Sequence, residues 1–167
     1  MDGEINMASK YYAIDIARYV VNYSWKINKP ISNLKLQKLL YFIQGNFLRN
    51  LNKPCFDDEI EAWNYGPVVP NVYSEFKRFG SNYISEIEYY YEYDRNKIEP
   101  IRKQYEDTLF ESEEERKIIE EVIEMCKNFS ASYLVDLTHR QSPWKKAYRR
   151  NNNIITIELM REFFCDK

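Results

Sequence analysis

The apolar positions of this chain fall into helical stripes over most of its length. Between residues 10 and 26, Tyr12, Ile16, Tyr19, Val20 and Tyr23 recur at three- and four-residue spacing, and Ser9 is placed to cap the start of that helix. After Pro30, Ser32 can cap a second helix whose Leu36, Leu39, Leu40, Ile43 and Phe47 form the stripe of a deeply buried face. Asn50-Leu51-Asn52-Lys53-Pro54 reads as a turn. Ser112-Glu113-Glu114-Glu115 is a capping box, and the helix behind it, running to about residue 128, turns Ile118, Ile119, Val122, Ile123 and Cys126 inward. Ser130 starts a helix carrying Tyr133, Leu134 and Leu137. Ser142-Pro143 starts another, over residues 144–150, with proline just behind the cap. Asn151-Asn152-Asn153 breaks the chain. Thr156 then caps a last helix with Leu159, Met160, Phe163 and Phe164, which either covers the core or pairs with another chain.

Two stretches depart from the helical period. Residues 55–64 are short and mixed, and lead as an extended segment into Tyr65-Gly66-Pro67-Val68-Val69-Pro70. Proline fixes φ near −65° and pushes the residue before it out of the α region, so this segment is a stiff turn. Past Pro70, Val72, Tyr73, Phe76 and Phe79 resume a short helix that Gly80 can terminate. Trp63, Tyr65 and Pro67 are expected to pack and organise the turn. The second departure is Ile87-Glu88-Tyr89-Tyr90-Tyr91-Glu92-Tyr93, which alternates as a strand does, with a turn at Asp94-Arg95-Asn96 and residues 97–101 returning as its partner. The expectation is a mainly α, compact single domain over residues 9–167 with a small β-hairpin or short strands, preceded by a flexible N-terminus at 1–8.

Composition narrows the class. A chain of 167 residues buries about 70% of its unfolded surface as one domain, and 44% hydrophobic with 30% charged residues suits a soluble globule. With 24 basic against 26 acidic residues, net charge −2, there is no general footprint for nucleic acid or an anionic membrane. No run of 18 apolar residues occurs, and Met1-Asp2-Gly3-Glu4 lacks the features of a signal peptide. Cys55, Cys126 and Cys165 are odd in number and form no CxxC, so a reduced, cytoplasmic location is expected. Fifteen tyrosines are many, but AT-rich coding explains abundant Tyr, Asn, Ile and Lys without any binding role.

Candidate chemistry is thin. His139 is the single histidine; Asp136 could orient it, yet no nucleophile elbow accompanies it, so a structural ring bonding backbone near the Trp144 helix start is expected. One His without a Cys pair argues against structural zinc. Asp57, Asp58, Glu59 and Glu61 resemble half of a Mg²⁺ or acid–base site without a second acidic motif, and read as a solvated edge or a docking surface. Lys145, Lys146, Arg149 and Arg150, near Arg140, form basic pairs opposite Trp144 and Tyr148, and read as a polar helix face. No catalytic residue, cofactor or metal ligand is assigned. The Tyr89–Tyr93 tract is the candidate partner-binding element: either Tyr90 is exposed with Tyr89 and Tyr91 buried, or the reverse, and exposed Tyr is a favoured interface anchor.

Three blocks carry a resemblance. Leu36-Gln37-Lys38-Leu39-Leu40-Tyr41, the segment from Glu61 to Tyr73 with Trp63, Tyr65, Gly66 and Pro67, and Leu137-Thr138-His139 followed by Pro143-Trp144 together resemble the Panacea domain, the SocA-like antitoxin domain of phage-associated proteins. They lie in the family's order and span roughly residues 9 to 150. The resemblance implies a compact helical binding domain that neutralises a toxin in a toxin–antitoxin pair or, in one branch, delivers it to a protease; it brings no catalytic set. The function expected is therefore direct binding of a partner protein, a toxin or host defence factor, without chemistry. The alternatives are a nucleic-acid-binding regulator using the 140–150 basic face, and a small enzyme centred on residues 57–61 or His139.

Overall fold

The computed structural model describes residues 11–166. Its described part is mainly α, with helices α1 (Ala13–Lys26), α2 (Asn33–Leu51), α3 (Pro70–Phe76), α4 (Glu113–Cys126), α5 (Ala131–His139), α6 (Ser142–Tyr148) and α7 (Ile157–Phe164). Strands β1 (Ile60–Trp63), β2 (Gly66–Val68) and β5 (Ile154–Ile155) form an antiparallel sheet in the order β2-β1-β5, while β3 (Tyr89–Glu92) and β4 (Ile101–Gln104) form a separate hairpin. None of the described helices is long and apolar enough to cross a membrane.

Helix α2 is the spine, touching α1, α3, α4, α5, α7 and β2. Its stripe of Leu36, Leu39, Leu40, Ile43 and Phe47 is fully buried, as its spacing requires. Ser32 caps it by accepting from the Lys35 amide at 3.3 Å, and Asn52 ends it in the left-handed region, so the expected 50–54 turn starts two residues later. Gly45 lies where α7 crosses: a Cβ there would fall 2.4 Å from the Phe164 ring. Leu159 and Met160 are buried beside it, so the last helix covers the core.

Helices α1 and α4 are joined by a ladder of phenols and carboxylates. Tyr11 donates to Glu115, Tyr19 to Glu120 at 2.5 Å and Tyr23 to Glu124 at 3.2 Å. Burial, reinforced by the carboxylate beside each ring, raises all three phenol pKa values. Glu115 also accepts from Lys53 at 3.0 Å. At the far end of α4, the Lys35 ammonium donates to the carbonyls of Cys126 at 2.8 Å and Phe129 at 2.6 Å, placing a cation at the helix C-terminus.

Several boundaries differ from the sequence expectation for physical reasons. Helix α1 begins at Ala13, and Tyr12 before it is 72% exposed rather than part of the stripe; Tyr11 enters the core instead. Its cap comes from Asp58, whose Oδ1 accepts from the Ala13 amide at 2.9 Å, and the expected cap Ser9 and flexible segment 1–8 lie outside the described residues. Helix α6 begins at Ser142 with Gln141 as the residue before it, one position earlier than proposed, because Pro143 fits either of the first two helical positions. The hairpin's second strand is 101–104 rather than 97–101: Asp94 turns the chain through its bond to the Asn96 amide, but pairing resumes only at Glu92↔Ile101. Strand β5, two residues long, had no periodicity to announce it.

Candidate partner-binding site

The three sequence blocks meet at Gly66. The Lys38 side chain, completely buried, runs beneath the turn and donates to the Pro67 carbonyl at 3.0 Å. Gly66 takes φ +100°, and a Cβ there would come 2.7 Å from Lys38 Cε and 2.8 Å from Thr138 Oγ1. Glycine is required twice over, by backbone and by space. Burial without a carboxylate partner pushes the Lys38 ammonium down to about 7. Gln37 ties the same turn by accepting from the Val69 amide at 2.9 Å while donating to Asn33. Leu36, Leu39 and Tyr41 are buried in α2, and Tyr41 donates to Gln141 at 2.8 Å, joining α2 to the start of α6.

A second junction lies at Trp144, whose indole donates to the Trp63 carbonyl at 2.9 Å. His139 tilts against Trp144 with ring centroids 4.1 Å apart, and Tyr148 stacks on Trp144 at 4.5 Å. The expected backbone bond of His139 is not made by Nε2, which is buried without a protein partner among the described residues, and Asp136 is exposed. The ring's role is contact with Trp144. Tyr148 donates to Asn64 at 2.6 Å.

These contacts build a groove of about 830 Å³ whose walls include Trp63, Asn64, Tyr65, Tyr73, Lys77 and Tyr148. Trp63 is half-buried against Tyr73, with ring centroids 5.1 Å apart, and Pro67 is buried. Tyr65, expected to pack, is 69% exposed. The β1–β2 register explains this: Trp63 pairs with Gly66, so Asn64 and Tyr65 form the tip of a tight hairpin, where a side chain has nothing beneath it.

The tyrosine tract forms the other candidate surface. Tyr90 faces the domain under the Arg18 guanidinium, 3.7 Å from its ring centroid, while Tyr89 and Tyr91 point outward. The alternation thus resolves in the second of its two registers. Arg102 lies 4.0 Å over Tyr89, Tyr89 and Tyr91 meet edge to face at 6.0 Å, and in the connection between the two strands Tyr93, 82% exposed, and Ile98 both stand in solvent. Helix α1 holds this hairpin's base: Asn22 exchanges two hydrogen bonds with Ile87, at 2.9 and 2.8 Å, and Trp25 donates to the Ile84 carbonyl at 2.8 Å. The hairpin is therefore anchored on α1.

The remaining candidates disperse. Asp58 caps α1, Glu61 accepts from Trp63 Nε1 at 3.1 Å, and Asp57 and Glu59 are exposed. Among the described residues, no three or more of His, Cys, Asp and Glu gather as metal ligands. Lys146 pairs with Glu162 at 3.1 Å, whereas Lys145, Arg149 and Arg150 are exposed. Sequence spacing had no means of finding Asn64 and Tyr148, whose bond spans 84 residues.

Comparison with known proteins fits this convergence. The family described as Antitoxin SocA-like, Panacea domain matches residues 36–145, well over half of the chain and all three blocks. Antitoxin SocA of Caulobacter vibrioides (strain NA1000 / CB15N) is 44% identical over 69 residues, which cover 41% of this chain and 37% of that protein. No solved structure matches.

Proposed function

The chain belongs to the SocA-like Panacea domain family, and from that premise we propose that it is a non-catalytic antitoxin-type protein that neutralises a partner, a toxin or host defence factor, by binding it directly. The family match carries the reading. What supports direct binding is the hairpin: Tyr89, Tyr91 and Tyr93 place three large aromatic side chains in solvent on a two-stranded element, and rigid exposed Tyr brings contact area at low entropic cost. Tyr90 has another task, holding the hairpin to Arg18, and is removed from the proposed interface. The site of action is the cytoplasm, where such a partner would be made.

Co-expression with a toxic gene product of the same genome tests this. The wild-type chain restores growth, and replacing Tyr89, Tyr91 and Tyr93 with Ala weakens capture of that product by at least about 1 kcal/mol, roughly fivefold, with thermal stability unchanged. Capture that survives the triple replacement intact places the interface elsewhere.

A further inference from the structure

The groove at the junction of the three blocks is separate from the hairpin's tyrosines and has a distinct chemistry. Its lining holds aromatic faces (Trp63, Tyr65, Tyr73, Tyr148), amide side chains and one cation, Lys77, yet no Asp or Glu lines it in a chain with 26 acidic residues. Arg149 and Arg150 occupy the two positions between the lining residues Tyr148 and Asn151, and among the described residues neither they nor Lys77 form an ion pair. The one carboxylate against the walls is that of Glu61, bonded to Trp63 Nε1 at 3.1 Å, so the three cations outnumber it, and an excess of unpaired positive charge favours a negatively charged occupant.

Two of the walls, Trp63 and Tyr148, are also fixed in advance. Tyr148 is held from two sides, by Trp144 stacking and by its bond to Asn64; Trp63 is held by Glu61, by Tyr73 and, through its carbonyl, by Trp144. Ordering aromatic side chains before binding removes part of the entropic cost of forming an interface. Amide groups beside them, such as Asn64 and Asn151, suit the alternating donors and acceptors of a peptide backbone.

We infer that this groove takes an acidic, aromatic-bearing peptide segment of the partner protein, its side-chain rings against Trp63, Tyr65 and Tyr148 and its carboxylates towards Lys77, Arg149 and Arg150. This deepens the antitoxin reading and rests on it for the partner's being a protein. Three cations serve a few carboxylates; a nucleic acid engages a longer run of phosphates than they span.

The test follows the indole signals of the full ¹⁵N-labelled chain on titration with an acetylated seven-residue peptide alternating Asp and Phe. The Trp63 signal moves saturably, with Kd below about 1 mM, while Trp25, on α1, stays in place. The same peptide with Asn for Asp binds about tenfold more weakly, as does the acidic peptide to a Lys77→Glu, Arg150→Glu chain, both changes being at exposed positions. Equal binding of the Asn peptide, or a stationary Trp63 signal, overturns the inference. A Trp63 shift produced by a single-stranded oligonucleotide but not by the peptide overturns it in favour of nucleic acid, and one produced by raising protein concentration alone overturns it in favour of a second copy. The double variant is then tested against the cognate toxic protein. Neutralisation equal to wild type leaves the antitoxin reading standing and sinks the groove; peptide binding without any neutralisation by wild type sinks the antitoxin reading alone.

Discussion

Gly66 and Lys38 make the fold's central turn depend on two side-chain decisions. Adding a methyl at Gly66 meets both a positive φ and a contact of 2.7 Å, so Gly66→Ala is expected to lower the unfolding free energy by about 2 kcal/mol or more, read from urea midpoints. An unchanged midpoint would show that Lys38 and Thr138 move aside freely. Lys38 has a pH signature. Its folded-state pKa lies below the unfolded value of 10.5, so the unfolded chain binds more protons between about 7 and 10.5, and stability rises with pH across that window. Cys55 and the buried tyrosines, whose pKa values are raised, act in the opposite sense at alkaline pH, which makes the difference from a Lys38→Met chain the informative quantity. Wild type should gain on that variant by up to about 1.4 kcal/mol per pH unit from pH 7 to 10. Parallel stability profiles would mean that Lys38 keeps its ordinary pKa. A fully buried lysine beneath a glycine was not legible in the sequence, where Lys38 reads as one polar position in a leucine-rich helix.

Elements followed their local signals where those signals were strong. Ser32, Ser112, Ser130 and Thr156 each cap the helix they precede, because a short hydroxyl before an apolar stripe satisfies an amide with no other partner. Failures occurred where the partner is remote. Asp58 reaches α1 across 45 residues, β5 exists only because β1 offers it an edge, and Tyr65 is exposed by a register fixed at Gly66. The α1–α4 ladder was half legible: the stripe Tyr19 and Tyr23 was read as apolar, while their hydroxyls bond Glu120 and Glu124. Tyr19→Phe removes a hydrogen bond to a carboxylate and should destabilise the chain by about 1.5–3 kcal/mol in the same urea assay, with the ring packing retained. A change under about 0.5 kcal/mol would show that water replaces the phenol without loss.

For the whole molecule, the blocks that carried the family resemblance turn out to be the residues that pin α2, the β1–β2 turn and α6 together. They account for the architecture; residues of the second block, Trp63, Tyr65 and Tyr73 among them, also line the groove, while the exposed hairpin lies outside all three blocks. Binding and catalysis make different demands on quantity: a neutraliser that acts by binding is consumed in its complex, whereas an enzyme turns over. The decisive measurement is a titration of the purified cognate toxic protein with this chain, reading the toxic activity and the complex formed. Toxic activity should fall linearly and vanish at about one chain per partner, with a complex of matching composition isolated by size exclusion. Complete loss of toxic activity at a small fraction of an equivalent, with no complex recovered, would contradict neutralisation by direct binding and identify a turnover process instead.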